Sequence, residues 1–107
     1  MTAETADQVF YNDLPQSTKD RLIPRLTYQS KASFFTPLTY PAYQDVAVSY
    51  LLCDQDNAIP FVVQQTMVGT GGPHVISHFC SSSHSPMLSV PSKVVDVIRG
   101  AAGESIV

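Results

Sequence analysis

The sequence predicts an α/β fold with parallel strands. Three observations carry that reading. Residues 46–53 (VAVSYLLC) and 74–80 (HVISHFC) are apolar runs of strand length, rich in β-branched and aromatic members. A segment of helical spacing lies between them, and another follows the second run. Short polar links join strand, helix, strand and helix, the order that produces a parallel layer. With 107 residues the chain has material for one domain.

The elements follow from the N-terminus. Residues 1–9 (MTAETADQV) are small, polar and unpatterned, and read as a disordered tail. Residues 10–16 (FYNDLPQ) set two aromatics beside a turn signal. Ser17 or Thr18 then caps a helix whose first turn holds Asp20 and whose stripe is Leu22, Ile23 and Leu26. Pro24 interrupts that helix or restarts it. Residues 31–45 carry Phe34, Phe35, Tyr40 and Tyr43 together with two prolines, and read as short turns with aromatic faces.

Residues 46–53 lack alternation, which predicts a strand covered on both faces. The Asp54-Gln55-Asp56-Asn57 stretch ends it with turn chemistry. Pro60 suits the first turn of a helix over 60–68, with Phe61, Gln64, Gln65 and Val68 at helical spacing. Gly69, Gly71, Gly72 and Pro73 are expected to stop it. After the second strand comes a polar loop, 81–86. Pro91 opens the last helix, with Val94, Val95, Ile98, Ala101 and Ala102 on one side and Gly103 closing it.

Composition excludes several classes. Six Lys and Arg face nine Asp and Glu, a net charge of −3 without any basic cluster, so a nucleic-acid partner is not expected. No apolar run approaches the roughly 20 residues of a membrane span, so no membrane partner is expected either. No secretory signal is visible, which makes the cytoplasm the expected compartment. Cys53 and Cys80 read as reduced thiols filling a core, with a disulfide between strand ends as the alternative. No metal-ligand spacing and no phosphate loop stand out, so no metal and no cofactor are expected. His74 and His78 read as structural parts of the second strand.

Chemistry belongs beyond the carboxyl ends of the strands. Asp54 and Asp56 follow the first strand there, and His84 follows the second. If the strands are neighbours, a carboxylate can fix the tautomer of the imidazole and stabilise the imidazolium. Acid before histidine is also the chain order of α/β-hydrolases. An Asp in a turn and a His in a loop are otherwise ordinary solvated residues.

Two longer patterns are more specific. One is Cys53, Asp56, Ile59 and Pro60 at the end of a strand. The other is His84, Pro86, Met87, Leu88, Ser89 and Pro91 before the last helix. Together they resemble the C-terminal third of α/β-hydrolases, most closely the plant methyl-esterase and hydroxynitrile-lyase branch and its fungal relatives. The resemblance implies a partial α/β-hydrolase fold: the last two parallel strands with flanking helices over 46–107, and a remnant of the helical lid over 10–45. It implies that Asp56 is the catalytic acid and His84 the catalytic histidine, while Asp54 is not catalytic. Phe34, Phe35, Tyr40 and Met87 would line the acyl side of a small-molecule pocket.

The family's nucleophile sits on a Gly-x-Ser-x-Gly elbow, and no such motif occurs in these 107 residues. The expectation is therefore a truncated relative of small-molecule carboxylic-ester hydrolases, of the kind used in secondary metabolism. It would hold two of three triad members and lack esterase activity alone. Two other classes fit the same residues. One is a non-catalytic binding or scaffolding module. The other is a serine-independent isomerase, dehydratase or cyclase that uses Asp56 and His84 as a general acid–base pair. Pairing of strand 46–53 with a second copy or another chain is expected, because one of its edges has no partner in the sequence.

Overall fold

The computed structural model describes residues 2–105. Met1, Ile106 and Val107, counted above in the tail and the final segment, lie outside them. The two expected strands form and pair in parallel. They are β1 (Ser49–Cys53) and β2 (Ile76–Cys80), with Ser49 opposite Ile76 and Cys53 opposite Cys80. Both start later than the apolar runs suggest. Ladder hydrogen bonds begin only where Ile76 N–H reaches the Val48 carbonyl.

The crossover helix α3 (Phe61–Gly71) packs on β1. Tyr50 meets Met67 there, and Phe61 meets Phe79 across 6.3 Å. Pro60 stands at the cap position rather than inside the first turn. Gly69 does not stop the helix, which ends at Gly71 with Gly72 as its cap. A φ of +100° at Gly72 turns the chain, and only glycine adopts that value readily. His74 lies in the link rather than in the strand, and its Nε2 pairs with the Tyr43 carbonyl at 2.9 Å.

The N-terminal region corrects the sequence reading most. Residues expected to be a tail form helix α1 (Ala3–Phe10). The Thr2 hydroxyl caps it by accepting the Thr5 N–H. Ala6 is buried, and Asp7 pairs with the largely buried Lys19 at 2.6 Å, which ties α1 to α2 (Gln16–Leu22). Tertiary contacts supply what composition lacked. Neither Ser17 nor Thr18 caps α2. Pro15 holds the cap position, and its carbonyl accepts from the Thr18 and Lys19 amides. At Pro24 the helix tightens into a single 3-10 turn, Ile23–Arg25, as the missing proline N–H requires. Two more such turns, Lys31–Phe34 and Ala42–Gln44, break the aromatic segment.

The polar loop expected over 81–86 leads into a short helix that the sequence reading did not foresee, α4 (Pro86–Ser89), before α5 (Pro91–Ala101). Of the apolar stripe read for α5 only Val94 is on its packed side. Val95 and Ile98 are exposed, while Val94 and Val97 are half-buried. The buried apolar set is Ala6, Tyr11, Leu14, Leu52 and Cys53. These residues fall in the N-terminal region and at the carboxyl end of β1, and the two regions are linked by hydrogen bonds from Asn12 to the Gln55 carbonyl and from Asn57 to the Gln8 carbonyl.

Candidate active site

The β1–α3 loop is shaped by two side chains. Asp56 Oδ1 accepts the N–H groups of Ala58 and Ile59, at 2.8 and 2.9 Å, and closes an Asx turn. Gln64, on α3, is 2% exposed. Its Oε1 accepts the Cys53 N–H at 2.8 Å, and its Nε2 donates to the carbonyls of Cys53 and Ile59. That amide occupies the outward peptide group of Cys53 as a neighbouring strand would.

With the loop fixed, Asp56 Oδ2 lies 2.9 Å from His84 Nδ1. The Asp56 side chain is 6% exposed and that of His84 36%. A carboxylate only accepts hydrogen bonds, so Nδ1 carries the proton and donates. The neutral imidazole then holds its lone pair on Nε2, which has no hydrogen-bond partner among the described residues. This arrangement can take a proton at Nε2, stabilise the resulting imidazolium and return the proton. Asp54, two residues away, is exposed, and its side chain makes no hydrogen bond among the described residues.

The serines next to His84 are not placed as nucleophiles. Ser82 and Ser83 are fully buried and Ser85 nearly so. The Ser82 hydroxyl donates to the Ser83 carbonyl, and the Ser83 hydroxyl accepts the Ser85 N–H. Cys53 and Cys80 are both free, 3.6 Å apart at sulfur. Burial, with help from Cys80, pushes the Cys53 thiol up to about 12, so it stays protonated and unreactive near neutrality. Among the described residues no group of three metal-ligating side chains converges.

A cavity of about 880 Å³ lies between α1 and residues 23–34. Phe10, Ile23, Leu26, Tyr28 and Phe34 give it an apolar wall, with Thr2, Thr27 and Gln29 as polar members. Phe10 also stacks on His84, with ring centroids 5.3 Å apart, so the cavity wall and the imidazole share one ring. Of the four expected pocket residues only Phe34 lines this cavity. Phe35, Tyr40 and Met87 are exposed and line neither it nor the smaller cavity between β1 and α3. Sequence reasoning missed Phe10, Asp13, Gln64 and Ser89. Asp13 bonds across 70 and 76 residues and Phe10 meets His84 from the far end of the chain, while Gln64 and Ser89 were read only as members of local patterns and not for their bonds to Cys53 and Asp13.

A parallel two-stranded layer with acid and histidine on adjacent strand ends is the corner of a known architecture. The family model of the alpha/beta hydrolase family matches residues 1–97, and the chain belongs to that family. It is 35% identical over 106 residues to the alpha/beta hydrolase nvfD of Aspergillus novofumigatus, covering 99% of this chain and 42% of that protein. It is 33% identical over 98 residues to a probable hydrolase R7 of a Phoma species, covering 86% of this chain and 39% of that protein. The chain thus spans about two fifths of the length of these fungal relatives. No solved structure matches it.

Proposed function

We propose that this chain carries the acid–histidine half of an α/β-hydrolase active site that cleaves small-molecule carboxylic esters. Asp56 orients and charges His84, and His84 Nε2 is the base that activates a nucleophile. The observation that carries the reading is the 2.9 Å Asp56–His84 contact at adjacent parallel strand ends, with Nε2 left free. Family membership and two hydrolase relatives support it. The cavity behind Phe10 would take the apolar part of the ester, within the size range of ligand sites.

The serine and the oxyanion donors come from outside residues 1–107 in this reading. Backbone direction supports a docking place for them. Val48 and Asp54 bond toward β2, so by alternation Ser49, Leu51 and Cys53 present their peptide groups to the other side of β1. Gln64 takes the Cys53 group. Those of Ser49 and Leu51 make no backbone bond to another strand among the described residues, the Leu51 carbonyl accepting only the Cys53 thiol at 3.7 Å, and would serve a further strand.

The test uses the chain alone and mixed with the part of the nvfD hydrolase that the match leaves uncovered. A fluorophosphonate label and a nitrophenyl ester report an activated serine. The chain alone should neither label nor turn over. The mixture should do both, and either Asp56→Ala or His84→Ala should abolish turnover. Removal of one triad member costs several powers of ten in rate. Labelling of the chain alone, or activity indifferent to His84→Ala, overturns the proposal. A second reading rests on the buried serines beside His84: an Asp56–His84 acid–base enzyme that needs no serine. Proton-transfer activity of the unmixed chain, lost in His84→Ala, would favour it.

A further inference from the structure

Residues Gln8–Asp13, which end α1 and turn toward α2, touch both loops of the site. The Gln8 carbonyl accepts from Asn57 Nδ2 at 2.8 Å, and Asn12 Nδ2 donates to the Gln55 carbonyl at 2.9 Å. Those two partners flank Asp56. On the histidine side, Phe10 stacks on His84. Asp13 Oδ2 accepts the Ser83 N–H at 2.9 Å, and Asp13 Oδ1 accepts the Ser89 hydroxyl at 2.8 Å. One carboxylate therefore holds the residue immediately before His84 and the residue that ends α4. It is the only side chain from the N-terminal region that bonds both ends of this segment among the described residues.

We propose that Asp13 is a positioning residue of the Asp56–His84 pair. Its carboxylate fixes both ends of the segment Ser83–Ser89 and thereby the approach of His84 Nδ1 to Asp56. This rests on the acid–base reading of that pair for its significance, but its geometry can be measured without catalysis. The physical case is one of restraint. His84 follows a fully buried serine whose N–H has no other partner among the described residues. Losing its acceptor leaves that N–H unsatisfied, and the peptide turns to find another, carrying the imidazole with it. Hydrogen bonds to an ionised acceptor are short and strong, which suits a carboxylate to this duty. The lowered pKa of Asp13 agrees. Burial works to raise it and is outweighed by the hydrogen bonds from Ser83 and Ser89.

The experiment is proton NMR of the His84 Nδ1–H on the full chain, its signal identified by its absence in His84→Ala. Solvent exchange of that proton reports how well the pair is held. Asp13→Ala should speed its exchange about tenfold, the effect of losing roughly one net hydrogen bond of local order. Asp13→Asn should change it less than about twofold, because the amide oxygen can accept from Ser83 while its NH₂ donates to the Ser89 oxygen. Ser89→Ala should fall between the two. A folded Asp13→Ala variant with wild-type exchange overturns the proposal. If Asp13→Ala does not fold, Ser89→Ala decides, and unchanged exchange there overturns it equally. Failure of ester complementation would reject the catalytic reading without touching this result.

Discussion

Replacing Gln64 by Met tests the internal wiring of the site. The two side chains have similar volume, so packing changes little and the hydrogen bonds are what is lost. Three groups lose a partner: the Cys53 N–H, the Cys53 carbonyl and the Ile59 carbonyl. Cys53 is 5% exposed, so water reaches its peptide poorly, whereas Ile59 is half-buried and can be rehydrated. Each buried orphan costs about 1–3 kcal/mol. The Cys53 carbonyl keeps the Asp56 N–H at 3.4 Å, so the Cys53 N–H is the one buried orphan, and the loss is about 1–3 kcal/mol against the roughly 5–15 kcal/mol of a typical domain. Gln64→Glu retains an acceptor for the Cys53 N–H but sets a carboxylate against two carbonyl oxygens. It should destabilise at pH 7 at least as much as Met and recover in acid, where a protonated Glu can donate to one carbonyl. Urea unfolding followed by far-UV circular dichroism measures both. Losses below about 1 kcal/mol in both variants would refute the argument that this amide substitutes for a strand edge.

Asp13 has a folded pKa below its ordinary 3.8, so its contribution is present above that value and lost as pH falls through the lowered one. Melting from pH 5 to pH 2 should show a steeper acid loss in the parent chain than in Asp13→Asn, and equal slopes would contradict this. Cys53 behaves oppositely. Folded, it keeps its proton from 9.0 to about 12, where the unfolded thiol releases it, so stability should fall with rising pH across that window. Cys53→Ala should flatten this alkaline limb, and an unchanged limb would assign it elsewhere. The Ser49 and Leu51 edge should make the chain associate with itself or a partner, seen as a concentration-dependent mass in light scattering. A monodisperse 11.7 kDa species with a cooperative melt would refute that expectation.

The sequence by itself determined the pieces whose causes are local. Apolar runs of strand length become β1 and β2, although only the end of β1 is buried and Ile76 and Phe79 of β2 are exposed. Proline and glycine mark the ends of α3 and the break near Pro24 because they act through their own backbone angles. The closeness of Asp56 and His84 was legible as well, since neighbouring parallel strands place their terminal loops side by side. Only the tertiary structure decided what depends on partners dozens of residues away. Helix α1 is polar in composition and exists through Ala6 burial and the Asp7–Lys19 pair. The packed side of α5 depends on what lies opposite, so its apolar stripe misled. Asp13 bonds across 70 and 76 residues, and Phe10 meets an imidazole on the far side of the sequence. Periodicity carries no trace of such contacts, because it records which face of an element is apolar and not which element will cover it.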